Sequence, residues 1–184
     1  METAGPARVL VLGGQRSGKS RYADRLVAAS GRRLVHLATA TAGDDEMAER
    51  IARHQARRGA EKWRTVEEPV DLAGALLREA RTDAAVLVDC LTLWLTNLMV
   101  AERPIEPETD RLLAALAAVA GPVAIVSNEV GSGIIPANAL ARRYADALGT
   151  LNQRVAEAVD RVVLMVAGMP LLLKPAQKQN EVVL

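Results

Sequence analysis

The sequence predicts an α/β fold with a mostly parallel sheet and helices on both faces. Three observations carry this: apolar runs of strand length recur along the chain, a segment with helical spacing follows most of them, and the first run stops at glycines. Val9 to Leu12 is that first run, the pattern of a buried parallel strand, and a helix follows from Lys19 to about Ala29. Leu34 to Ala38 reads as a second strand. Asp44 to Arg58 reads as a helix, with acids at its N-terminal end and arginines at its C-terminal end, matching the helix dipole.

Further on, Val70 to Arg81 reads as a helix, Ala84 to Asp89 as a strand and Leu91 to Val100 as a helix. Glu102 to Pro107, with two prolines, reads as a loop. Glu108 to Ala120 is again helical, and Val123 to Ser127 is a strand. Asn138 to Asp160 reads as a long helix containing Gly149, and Val162 to Ala167 is a last core strand. In such a sheet, ligands gather at the carboxyl ends of the strands.

The 184 residues suit one domain spanning 1–184, and half of them are apolar, enough for a single core. Lys plus Arg (23) nearly cancels Asp plus Glu (22), so the charge excess of a nucleic-acid coat is missing. There is no Phe, and only Tyr22, Tyr144, Trp63 and Trp94 could stack on bases. Cys90 stands alone, which rules out an intramolecular disulfide or a multi-cysteine zinc site and points to a reducing, cytoplasmic setting. Met1 to Pro6 lacks the basic-then-apolar order of a secretory signal. The nearest approach to a membrane span, Ala84 to Ala101, is interrupted by Asp89 and Asn97.

Gly13-Gly14-Gln15-Arg16-Ser17-Gly18-Lys19-Ser20 satisfies G-x-x-x-x-G-K-[ST], the phosphate-binding P-loop, between a strand and a helix as the motif requires. Glycines let successive backbone N–H groups turn inward around an anion, and the helix N-terminus adds its positive end. Lys19 is placed to reach the β and γ phosphates, and Ser20 to offer its hydroxyl to Mg²⁺. Asp89 closes an apolar strand where the second carboxylate of such a site belongs, although a cap for the helix at Leu91 is an equal reading. Asn128 and Glu129 follow a strand and should emerge at the ligand-bearing edge, to touch substrate or hold the cradle; a local turn with Glu129 solvated is the alternative.

Met47, Ile51 and His54 share one helical face, with Arg50 and Arg57 beside them. Spacing alone allows a packed structural histidine, a solvated arginine end, or a polyphosphate site.

The runs Leu12 to Arg21, Ala38-Thr39-Ala40, Asp44-Asp45-Glu46-Met47-Ala48-Glu49-Arg50-Ile51, Trp63-Arg64-Thr65, Asp89 to Leu98 and Ser127-Asn128-Glu129-Val130-Gly131-Ser132-Gly133-Ile134-Ile135-Pro136 together resemble one family. It is the bifunctional adenosylcobinamide kinase / adenosylcobinamide-phosphate guanylyltransferase family of cobalamin biosynthesis, and the likeness runs to about Lys174. The resemblance implies a P-loop, RecA-like three-layer fold. It also implies two reactions: phosphorylation of the aminopropanol hydroxyl of adenosylcobinamide by ATP or GTP, then GMP transfer from GTP to that phosphate through a guanylylated histidine. That histidine is carried onto His54, with Lys19 assisting; His36 falls inside a predicted strand. Thr39, Ala40, Thr41, Gln55, Arg57 and Glu67 are implied as further nucleotide contacts, and a homo-oligomer, possibly a trimer, as the assembly. Two rivals are a P-loop kinase for another small hydroxyl substrate, with His54 as packing, and a nucleotide-driven switch acting on a protein partner.

Overall fold

The structure is a computed structural model, and it describes residues 7–40 and 63–175. Seven strands form one sheet in the order β3-β2-β4-β5-β1-β6-β7. They are β1 (Arg8–Gly13), β2 (Arg33–Ala38), β3 (Trp63–Glu67), β4 (Ala84–Asp89), β5 (Val123–Val126), β6 (Arg161–Val166) and β7 (Met169–Lys174). Five helices are described: α1 (Lys19–Ala28), α2 (Leu72–Glu79), α3 (Leu91–Val100), α4 (Ile105–Ala118) and α5 (Ala139–Ala158). All neighbouring strands run parallel except β7, which is antiparallel to β6. The sheet is therefore mostly parallel, with helices on both faces, as the alternation of runs in the sequence requires.

Side chains of successive strand residues point to opposite faces, and this sorts the core into two layers. Leu10, Val35, Leu37, Val86, Val88 and Ile125 pack with the apolar stripes of α2 to α5. Val9, Val11, Ala85, Leu87, Ala124 and Val126 pack on the other face with Ala23 and Val27 of α1. Because both faces are covered, the central strands read as unbroken apolar runs; all four residues of β5 are buried.

Two strands go beyond the sequence expectation. β3 is an edge strand with a half-buried or exposed residue at every position, so it carries no apolar run to recognise. β7 follows a two-residue hairpin in which Ala167 and Gly168 both take positive φ, 52° and 81°, as a tight hairpin demands. Ala167, expected as the last residue of a strand, is instead the first residue of that turn.

The prolines between Glu102 and Pro107 were expected to hold a loop, yet α4 begins at Ile105 with Pro104 at its N-cap. Pro107 lies in the first turn, where a missing N–H costs no intrahelical bond, and Glu106 and Glu108 suit the dipole there. The predicted start of α5 is confirmed by its cap: Asn138 accepts hydrogen bonds from the N–H groups of Leu140 and Ala141. The helix expected over Asp44 to Arg58 lies outside the described residues. Among the described residues no helix is long and apolar enough to cross a membrane.

Candidate active site

The loop from Gly13 to Lys19 curls between β1 and α1, and its own backbone makes the bend tight. The Ser17 N–H donates to the Gly14 carbonyl at 3.3 Å. Lys19, 8% exposed, lays its ammonium back over the loop and donates from Nζ to the same Gly14 carbonyl at 2.9 Å. The α1 N-cap is Gly18, which has no side chain to satisfy the first N–H groups of the helix. Those donors, with the positive end of the dipole, face the loop and suit an anion.

Glycine is required here for space. A Cβ on Gly13 would stand 2.5 Å from Ser17 Oγ and 2.7 Å from the Met165 carbonyl. Gly18 has φ 96° and approaches the Gly168 Cα, which a Cβ would meet at 3.2 Å. The β6–β7 hairpin tip explains that contact, since the Gly168 N–H donates to the Ser17 carbonyl at 2.9 Å. This support comes from a part of the chain about 150 residues away and has no signature in the motif itself.

Asp89 ends β4 in the register row of Val126 on β5, which in turn pairs with Val11 on β1. Its carboxylate therefore stands at the same sheet edge as the loop, two strands across. The residue at the N-cap of α3 is Cys90, with no side-chain cap bond, so the helix-cap reading of Asp89 is set aside. Buried His36 stands beside it, with Nε2 3.9 Å from Asp89 Oδ2. No sequence pattern announces that proximity, because β2 and β4 become neighbours only in the sheet.

Thr39 is wholly buried, and its hydroxyl serves the chain itself. It donates to the Cys90 carbonyl at 2.7 Å and accepts from the Cys90 N–H at 2.8 Å. Asn97 Nδ2 then donates to the Thr39 carbonyl at 2.7 Å and to the Pro69 carbonyl at 3.0 Å. Thr39 thus clamps the exit of β2 to the turn that follows Asp89. Burial, and next to it the Asp89 charge, pushes the Cys90 thiol up to about 11, so it stays protonated. Ala40 follows at the same edge, and Glu67 closes β3 opposite Ala38. Thr41, His54, Gln55 and Arg57 lie outside the described residues.

Asn128 and Glu129 are held mainly through their backbones. The Asn128 N–H donates to Thr92 Oγ1 at 2.9 Å, and its carbonyl accepts from Asn152 Nδ2 at 3.0 Å. The Glu129 N–H donates to the Gly13 carbonyl at 3.1 Å, so this segment clasps the root of the phosphate loop. Glu129 Oε1 accepts from the Gly131 N–H at 2.7 Å, closing a local turn. Asn152, on α5, had no place in the sequence reading; Ser127 Oγ donates to its Oδ1 at 2.7 Å inside the core.

Among the described residues no group of three or more His, Cys, Asp or Glu side chains could cage a metal. The Ser20 hydroxyl and the Asp89 carboxylate are hard oxygen donors, the sparse kind of set that Mg²⁺ accepts while keeping water and phosphate oxygens in its shell. The residues present therefore fit that ion.

A parallel sheet with this loop at the carboxyl end of β1, and an acidic residue closing a nearby strand, defines a P-loop nucleotide-binding protein. The solved structure of the RadB recombinase supports the fold, aligning with TM-score 0.52 over 88% of this chain and 74% of that one at 17% identity. Residues 9–173 match the model of the family described as cobinamide kinase / cobinamide phosphate guanyltransferase, and the chain belongs to that family of enzymes. The bifunctional adenosylcobalamin biosynthesis protein CobP of Pseudomonas aeruginosa is 52% identical over 91% of this chain and 97% of its own length. The bifunctional adenosylcobalamin biosynthesis protein CobU of Salmonella typhimurium is 39% identical over 90% of this chain and 99% of its own.

Proposed function

We propose that this enzyme works in cobalamin biosynthesis in two steps at one nucleotide site. In the first, the aminopropanol hydroxyl of adenosylcobinamide attacks the γ-phosphate of ATP or GTP; the hydroxyl loses its proton and the nucleoside diphosphate leaves. In the second, His54 attacks the α-phosphate of GTP and pyrophosphate leaves, and the adenosylcobinamide phosphate then takes GMP from the phosphoramidate to give adenosylcobinamide-GDP. The observation that carries this reading is the phosphate cradle, with Lys19 folded over it, in a chain whose family is described by both activities.

In the cradle, the loop N–H groups and the open α1 terminus bind the phosphates and orient them for in-line attack. Lys19 swings from the Gly14 carbonyl onto the β and γ phosphates, offsetting charge on the leaving group in both steps. Ser20 and Asp89 would hold Mg²⁺, which when bound neutralises phosphate oxygens. Thr39 acts by setting the Asp89 turn, while Ala40, Thr41, Gln55, Arg57 and Glu67 border the nucleotide. Asn128 and Glu129 fix the loop on the acceptor side.

The test uses GTP labelled at the α-phosphate. The protein should retain label after denaturation, with a bond that acid cleaves and alkali spares, and His54→Ala should abolish it while keeping the kinase step. Label retained in His54→Ala removes that histidine from the mechanism. Wild type that takes no label but phosphorylates cobinamide leaves a kinase alone, and hydrolysis without either transfer leaves a switch.

A further inference from the structure

Between the end of α3, the turn into α4 and the first turns of α5 lies a groove of about 1030 Å³. Met99, Val100, Ile105, Val130, Leu140 and Tyr144 form much of its wall. The apolar surface around it is unusually open to solvent: Val100 is 80% exposed, and Ile134 and Ile135 of the adjoining connector are 97% and 79% exposed. Apolar side chains gathered this way around a concave surface indicate a ligand or a partner.

Two observations favour a small-molecule ligand, and one connected with the phosphate site. The first is continuity. The connector leaving β5 clasps the cradle through the Glu129 N–H and the Gly13 carbonyl, and its next residue, Val130, already lines the groove. A molecule seated in the groove needs only a short arm along this connector to present a hydroxyl or phosphate to the cradle. The second is chemistry. Arg143, which lines the groove, makes no hydrogen bond or ion pair among the described residues. Thr96, also in the lining, is already engaged: its hydroxyl donates to the Thr92 carbonyl at 3.1 Å, beside the Tyr144 hydroxyl, which donates to the same carbonyl at 2.8 Å. Aliphatic walls with the unengaged Arg143 guanidinium match a large ring with methyl-studded faces and a rim of carboxamide oxygens.

We propose that this groove seats the corrinoid body of the acceptor, with its aminopropanol arm lying along Asn128 to Val130 toward the phosphates. The assignment rests on the reading given under Proposed function, because only that reading calls for a corrinoid. The groove's volume is at the upper end of the roughly 300–1,000 Å³ of small-molecule sites, in keeping with a macrocycle rather than a nucleoside.

The experiment is equilibrium dialysis of dicyanocobinamide, followed by its colour, against the full chain without nucleotide. Two variants are compared with wild type. Ala141→Trp fills the groove from α5, and Val100→Arg puts a charge on its wall at a position so exposed that folding is not at stake. Both should weaken corrinoid binding by about tenfold or more, while labelling by α-labelled GTP and the size-exclusion elution volume stay as in wild type. Unchanged corrinoid affinity in Val100→Arg overturns the proposal. So does a wild type that binds no cobinamide, loss of GTP labelling in parallel with corrinoid binding, or a shift to a smaller assembly at unaltered affinity, which would make the groove a contact between copies. Failure of the functional reading is seen separately, as wild type that binds cobinamide yet neither phosphorylates it nor takes up GMP.

Discussion

Lys19 shows how much a single side chain can carry. Its ammonium is buried against the Gly14 carbonyl and is the cation placed for phosphate in the motif. Lys19→Ala should lower both transfer rates by about a hundredfold or more, the scale of removing one preorganised charge from a developing anion, about 2.7–4 kcal/mol. Melting temperature should move little, and steady-state assays of each half-reaction check this. The place of Lys19 in the loop was legible from eight consecutive residues, because the motif encodes local geometry. The place of His36 beside Asp89 was not legible, since 53 positions separate them and only the pairing of β2 with β4 brings them together.

At the scale of elements, the cradle is a strand, a turn and a helix braced by a hairpin from the other end of the chain. Gly18→Ala puts a Cβ at φ 96° and 3.2 Å from Gly168, so it should destabilise the protein by about 1–3 kcal/mol. It should also loosen nucleotide binding; chemical denaturation and nucleotide titration read the two effects apart. The start of α4 carries a pH signature. Hydrogen bonding from Arg103 comes first and Arg111 adds to it, so the carboxyl of buried Glu108 titrates below its usual range despite desolvation. A carboxyl whose folded pKa is depressed contributes stability that is full above the unfolded value, about 4.3, and is lost as pH falls through the folded value. Glu108→Gln should therefore be less stable than wild type at pH 7, and the gap should narrow below about pH 4, as urea midpoints at several pH values will show. The α4 start was misplaced from sequence because proline was read as a breaker, whereas in a first turn it is tolerated.

Across the whole molecule, the site's edge is held by side chains that bond to distant backbone. Asn97 on α3 joins the exit of β2 to Pro69, ahead of α2, and Trp94 Nε1 donates to the Val70 carbonyl at 2.8 Å beside it. Asn97→Ala leaves two carbonyls without their donor and should cost about 1–3 kcal/mol. Since Thr39 is bonded to the Asp89 turn, nucleotide affinity should fall with stability, and a thermal melt with and without nucleotide checks both. From the sequence Asn97 was a polar interruption of an apolar stretch and part of a family motif; its partners belong to other elements.

The sequence by itself determined the class of fold, the phosphate loop and the family likeness, because hydrophobic period, a glycine pattern and motif runs are written in neighbouring residues. Only the tertiary structure decided which strands lie at the edges, that the hairpin braces Gly18, that Thr39 spends its hydroxyl on Cys90, and that an apolar groove opens between α3, α4 and α5. Each depends on contacts between residues far apart in the chain, and local pattern does not encode such contacts until the sheet sets their register.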